Sequence, residues 1–334
     1  MPNAAPRTAL TSSHGRRTLT VAGAALVILG GAASAQRAAP SALANGGPAW
    51  ASVQQALGGK GTMQPGDVLK FGFPRSDLQV TVDGVVLRPA LALGSWVAFK
   101  RMGAGATAST MVMGDLVLAE DEVGPVMLAL QQRGVEQTAL HNHVLHESPR
   151  VMYMHIMAHG DAAKIAADIR TALGQSHTPL PAIAASSDPM PASPAPSAPI
   201  DLDTAGVAHA LGAAGKINGG VYQVSVPRAE RVTDHGMEVP PSMGVATAIN
   251  FQPTGDGKAA ITGDFVMTAD EVNPVLRALR DHGIQVTALH SHMLTESPRL
   301  FFMHFWANDD AVKLASGLRA ALDRMKVQHM PAKG

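Results

Sequence analysis

The sequence contains no cysteine. That excludes disulfides, thiolate-bound metal and a lipid-modified cysteine, and it leaves stability to packing alone. Aromatic residues make up only 4% of the 334 positions and charged residues 16%. The few aromatics are not interleaved with Lys or Arg and no basic stripe is present, which argues against a nucleic-acid groove. The 46% apolar content is supplied largely by Ala, Val and Met. Past residue 35, no apolar run approaches the length of a membrane span.

What is present first is an export signal. Arg7, Arg16 and Arg17 precede an apolar run over 19–31, followed by Ala33-Ser34-Ala35. This pattern predicts a cleaved signal peptide over 1–35, with twin-arginine export suggested by the paired arginines. An uncleaved anchor helix is the alternative, although the run is short for one. Cleavage leaves 23 basic against 26 acidic side chains. The mature chain is therefore expected to be soluble, slightly acidic, and periplasmic or secreted.

An internal duplication dominates the rest. The segment 114–173 returns as 263–322, and both copies carry T-A-L-H-x-H-x-L-x-E-S-P-R followed by M-H. His290 lies 149 residues after His141, as Glu296 does after Glu147 and His304 after His155. About half of the positions in the two segments agree, enough to establish a repeat. Weaker echoes upstream, such as Pro74-Arg75 with Pro227-Arg228, extend each unit to roughly 120 residues, an ordinary domain size. The expected organisation is a signal over 1–35, a tail over 36–48, a first repeat over 49–173, and a Pro/Ala/Ser-rich linker over 174–203. A second repeat over 204–326 and a tail over 327–334 complete it. The linker composition predicts an extended, mobile segment. Whether the lobes move independently or dock about a pseudo-twofold is left open.

Within each unit the pattern predicts strands over 78–82, 95–100 and 111–118, then a helix opening near Asp121-Glu122 or Asp270-Glu271 and closing at Gly134 or Gly283. Thr268 with Glu271 reads as a capping box, and Asn273-Pro274 as an alternative start one turn later. Strands over 137–145 and 151–158 follow, joined by a short turn at 147–150, and Asp161 caps a last helix. The second of these strands is apolar on both faces and belongs inside a sheet. The fold class is α+β: two homologous lobes, each a mainly antiparallel sheet with helices on one face.

His141 and His143, two apart on a strand, should face one way. His155 lies on the neighbouring strand and joins them if the paired residue numbers sum to an even value near 296; a slip of one turns it away. With Glu147 in the turn, three imidazoles and a carboxylate would suit zinc or another divalent metal. The second copy offers His290, His292, Glu296 and His304. A structural reading competes: His155 donating to a carbonyl, Glu147 paired with Arg150, and the histidine pair as a polar strand end. Retention of the whole quartet in both copies favours a site. Arg150 and Arg299 are candidate clamps for an anion. Asp115 and Asp264, each after a glycine, read as turn caps rather than as acids that support the metal-binding histidines. The H-x-H-x-x-x-E spacing echoes cupins, but flanking helices do not suit a jelly roll. Met152, Met154 and Met157 as a copper(I) site are less economical than core packing.

The strings Pro74-Arg75-Ser76-Asp77, Gly114-Asp115, Asp121-Glu122-Val123, Thr138 to His143 and Glu147 to Arg150, with Met154-His155, resemble the LppY/LpqO family of exported bacterial proteins, present here twice. The resemblance spans nearly all of both lobes and implies an envelope or secreted location. That family is a domain of unknown function and carries over no catalytic residue, and the chain lacks the cysteine that lipoprotein members acylate. The leading expectation is a two-lobed protein that binds a metal or a small polar ligand in each lobe. A metal-dependent hydrolase of an envelope component, with Glu147 or Glu296 as general base, is the alternative. A structural envelope module without a ligand is the third.

Overall fold

Each copy folds around one sheet whose strand order is set by long antiparallel pairings. The computed structural model describes residues 50–103, 109–183 and 199–328. The expected signal peptide, the tail at 36–48 and residues 184–198 of the expected linker lie outside them. In the first lobe a six-stranded sheet has the order β1 (Thr62–Gln64), β2 (Val68–Pro74), β5 (Gly94–Met102), β6 (Ser109–Ala119), β9 (Val151–Gly160) and β7 (Glu136–His141). A separate small sheet has the order β4 (Val85–Val86), β3 (Thr81–Val82) and β8 (Glu147–Ser148). The second lobe repeats this with β10 (Lys216–Asn218), β11 (Val221–Pro227), β14 (Ala246–Gly255), β15 (Lys258–Met267), β18 (Phe301–Asp310) and β16 (Gln285–His290). Its small sheet is β12 (Thr233–Asp234), β13 (Met237–Glu238) and β17 (Glu296–Ser297). Each lobe is thus α+β, as expected, and the doubly apolar β9 and β18 lie between two neighbours.

Three helices cover one face of each sheet. In the first lobe these are α1 (Ala51–Leu57), α3 (Val123–Gln131) and α4 (Ala162–Leu173), which bury Leu57, Leu130 and Ile169 against Phe99, Leu116 and Ile156. In the second, α5 (Thr204–Leu211), α6 (Ala269–Asp281) and α7 (Ala311–Leu322) bury Leu211, Leu279 and Leu318 against Phe251, Phe265 and Phe305. The Asp161 carboxylate accepts from Lys164 N at 2.7 Å, the N-cap expected. Thr268 and Glu271 close the capping box, so α6 starts there and Pro274 falls inside the helix. Gly134 and Gly283 adopt φ of 73° and 74°, the left-handed geometry that ends a helix.

The opposite faces of the two sheets pack on each other. Val68, Ala98 and Met157 meet Val245, Val266 and Phe302 in one apolar cluster. Val82, Val117 and Tyr153 meet Val221, Ala260 and Trp306 in another. The result is helix, sheet, sheet, helix in four layers, and both lobes belong to one compact unit. The short α2 (Pro89–Ala92) crosses to the second lobe, where Gln223 Nε2 donates to Ala90 O at 2.8 Å and Asn250 Nδ2 to Leu91 O at 3.2 Å.

A buried ion pair braces each lobe where the sequence showed only a motif. Arg75 is fully buried, donating to Val117 O at 2.7 Å and to both oxygens of Glu122 at 2.7 and 3.1 Å. Glu122 also accepts from Ala119 N and His177 N, so residues 175–182, expected as free linker, are strapped onto the first lobe. Leu180 packs on its core and Arg170 Nη2 donates to Pro181 O. Arg228 and Glu271 repeat the device, with Lys326 N in the place of His177 N.

Candidate metal centre

The candidate histidines owe their common direction to a β-bulge. From Glu136 to Gln137 strand β7 pairs with β9 in a register that would turn His141 outward; between Gln137 and Ala139 the register shifts by one. Beyond it Ala139 faces His155 and His141 faces Tyr153, an even sum, so His141 and His155 share a face. The second copy shifts between Val286 and Ala288 with the same outcome for His290 and His304. His143 and His292 are not strand residues, because β7 and β16 end at His141 and His290. They stand at the start of the following loops, held by ring stacking, His143 on Tyr153 at 3.3 Å and His292 on Phe302 at 3.4 Å between centroids.

The two histidine sets are not separate sites. They meet at the interface of the sheets, His141 stacked on His290 at 3.6 Å, His155 on His292 at 3.7 Å and His143 on His304 at 3.9 Å. The pairs interchange under the pseudo-twofold that exchanges the lobes. Crossed hydrogen bonds lock the arrangement: Thr138 Oγ1 donates to His292 O at 2.6 Å and Thr287 Oγ1 to His143 O at 2.5 Å. Asn142 Nδ2 adds a bond to Thr287 O at 3.2 Å.

Two further acids face the cluster. Asp115 and Asp264 lie in mid-strand on β6 and β15, directly opposite His155 and His304 in the register. Asp115 Oδ2 is 3.7 Å from His143 Nε2, its Oδ1 is 3.9 Å from His155 Nε2, and Asp264 Oδ2 is 3.2 Å from His292 Nε2. The turn-cap reading of these aspartates is therefore corrected. The preceding glycines are required for a different reason: a Cβ on Gly114 would stand 2.8 Å from Trp96 O, and one on Gly263 would overlap Ala248 O. A glycine inside a strand marks close backbone approach as readily as a turn.

Burial sets the protonation states. Desolvation, then the neighbouring His292, pushes His141 down to about 3. Desolvation likewise takes His292 to about 3 and His304 to about 4, and holds His143, His155 and His290 well below the usual imidazole range. All six are neutral at pH 7, the form that offers a lone pair to a metal. Desolvation, reinforced by Asp264, raises Asp115 to about 7, and desolvation raises Asp264 to about 6. The Nε2 atoms of all six rings are buried without a hydrogen-bond partner, as are Asp115 Oδ1 and Asp264 Oδ1. His292 Nε2 counts among them despite its 3.2 Å approach to Asp264, which makes no hydrogen bond. His141, His290, His292 and His304 bring one ring nitrogen each within 4.8 Å of one another.

The remaining candidates stand apart. Glu296 accepts from Leu300 N at 2.9 Å and from Arg299 Nη1 at 3.1 Å, and Arg299 also donates to Met293 O, so this pair braces its own turn. Glu147 is held beside β3, opposite Val82; desolvation raises its carboxyl to about 7, and its Oε2 is unpartnered. Arg150 and Arg299 are both exposed and do not line the cleft described next. That cleft, about 760 Å³, lies between the lobes and reaches His143, His155, His292, His304, Asp115 and Asp264.

A family model, Domain of Unknown Function (DUF1259), matches residues 51–175 and again residues 205–324. The chain belongs to this family, in tandem duplication. The DUF1259 description names no activity, so the site must be read from its own chemistry. No curated protein matches the chain. Among solved structures the chain is similar to the trimeric bacterial microcompartment shell protein PduB at 13% identity, over 78% of this chain and 87% of that one, with a TM-score of 0.20. It is similar to EtuB from Clostridium kluyveri at 11%, over 80% and 95%, with a TM-score of 0.19. Superposition that poor carries no argument about fold or function.

Proposed function

We propose that this DUF1259 protein binds one divalent transition metal, zinc by preference, between its lobes. The observation that carries the reading is the set of six neutral imidazoles, four of them buried and His143 and His290 half-buried, whose buried Nε2 atoms all lack a partner. Unsatisfied polar atoms buried without compensation each cost about 1–3 kcal/mol, which a coordinated ion would offset. Four imidazole nitrogens suit zinc, which favours four nitrogen or sulfur ligands, and this chain has no sulfur ligand from cysteine. The pseudo-twofold maps the tetrad His141, His290, His292, His304 onto His290, His141, His143, His155. Both sets need His141 and His290, and a neutral imidazole has a single lone pair. One ion per chain therefore replaces the two that independent lobes would hold.

A metal-dependent hydrolase is the second reading, and the cleft that opens onto the cluster favours it. In that case Asp115, raised to about 7, suits a general base better than Glu296, whose oxygens are occupied. Export to the periplasm or beyond rests on Arg16-Arg17, the apolar run 19–31 and the likeness to LppY/LpqO proteins.

The test is elemental analysis of the purified chain after zinc loading and dialysis. The expected result is about one equivalent, lost when His141 and His290 are both changed to Ala and kept in Glu296→Gln. Zinc absent from the wild type, or two equivalents, would sink the single-ion reading.

A further inference from the structure

The cluster has two unlike ends. Towards β7 and β16 it is crossed by the bonds of Thr138, Thr287 and Asn142. On the other side, between β2–β5 and β11–β14, it opens into the 760 Å³ cleft, a volume typical of small-molecule sites. Among the described residues the charged side chains lining the cleft, besides histidine, are Lys70, Lys216, Asp115 and Asp264.

The cleft straddles the pseudo-twofold, but its walls are not symmetric. Lys70 and Trp96 on the first lobe correspond, by the β2–β5 and β11–β14 registers, to Gln223 and Ala248 on the second. The Lys70 ammonium lies 3.9 Å over the Trp96 ring and makes one long hydrogen bond, 3.4 Å, to Ser242 O. Among the described residues it forms no ion pair. Trp96 is wedged against Gly244, where a Cβ would come within 2.9 Å of the ring and where φ is +90°. A backbone that gives way to hold an indole in place beside a cation is a built wall. Gln223 at the opposite position is already committed to Ala90 O and to Asn218.

We propose that the cleft takes a small anionic organic molecule, its carboxylate or phosphate on Lys70 and facing the positive charge of the four-histidine metal centre, and its carbon skeleton against Trp96. The inference rests on the metal reading for the second of the two positive charges that the anion faces. Without an ion, Asp115 and Asp264 oppose Lys70 and Lys216 in the lining of the cleft. A divalent ion tips the balance of the cleft to positive, so anion binding follows metal loading. The asymmetry of the walls sets the direction of the ligand, with its charged end at Lys70 and an uncharged end at Gln223 and Ala248.

The test is calorimetric titration of the zinc-loaded full chain with citrate, with inorganic phosphate and with glycerol. Citrate or phosphate should bind saturably and glycerol should not; the tighter anion identifies the group. Lys70→Met should weaken that binding by about tenfold or more, with zinc content unchanged, and Lys70→Arg should restore most of it. Trp96→Phe should abolish the ligand-induced change in tryptophan emission, a readout that holds even if K70M does not fold. A zinc-loaded chain that binds neither anion, or a K70M chain that binds as the wild type does, overturns the proposal and leaves the metal reading standing. A chain that takes up no zinc yet binds citrate through Lys70 overturns the metal reading and the dependence of anion binding on it, and leaves Lys70 as the anion contact. Failure of both overturns both.

Discussion

A histidine buried as a neutral ring is a cost deferred, and its size depends on pH. In the metal-free chain the six cluster imidazoles are all depressed below 6.5, with desolvation as the leading cause. A depressed group contributes stability that is present above 6.5 and lost as pH falls, because only the unfolded chain takes up the proton. Asp115, Asp264 and Glu147 act in the opposite sense, being raised to about 7, 6 and 7. Near pH 7 the two sets nearly cancel. Between about 6.5 and 4 six imidazoles outweigh three carboxyls, and stability should drop steeply. Urea midpoints of the chelator-treated protein at pH 7, 6 and 5 check this, and a midpoint that stayed level to pH 5 would refute it. The histidines were legible in the sequence because both copies kept them. Asp115 and Asp264 were not, since Gly-Asp reads locally as a turn, and only the approach of Trp96 O and Ala248 O explains the glycine.

At the scale of elements, one extra residue in a strand decides whether the site exists. Periodicity placed His141 and His155 on adjacent strands and left their relative facing to the register. The bulges at Thr138 and Thr287 set that register, and the bulged residues themselves carry the bonds across to the other lobe. No propensity rule marks Thr as a bulge, so this step was hidden, whereas the capping box of α6 and the glycine ends of α3 and α6 were plain from composition. Changing Thr138 and Thr287 to Val keeps shape and leaves two buried carbonyls short of a donor, at about 1–3 kcal/mol each. Because those carbonyls belong to His292 and His143, metal affinity should also fall, by about 10- to 100-fold, as when a group that orients a ligating side chain is lost. Competition with a zinc chelator measures the second effect. Unchanged zinc affinity in the double variant would separate the bulge bonds from the centre.

Across the whole molecule, the duplication was readable but the docking of the lobes was not. The inward faces of both sheets are apolar enough to read as ordinary core, and nothing in a sequence says that the core partner is the other copy. The consequence is thermodynamic. Met157 and Phe302 share one cluster, and Tyr153 and Trp306 share another, so neither lobe can unfold without exposing the other's inner face. Thermal unfolding should therefore be a single transition and not two. An ion held by residues of both lobes binds only the docked native state. It stabilises by about 2.7 kcal/mol at 100 times its Kd, which for a chain of this size corresponds to a rise in Tm of roughly 4–5 °C. Chelation should lower that one transition as a unit, and returning zinc should restore it. Two resolved transitions in calorimetry, with only one responding to zinc, would mean that the lobes fold apart and that the histidines of one lobe suffice.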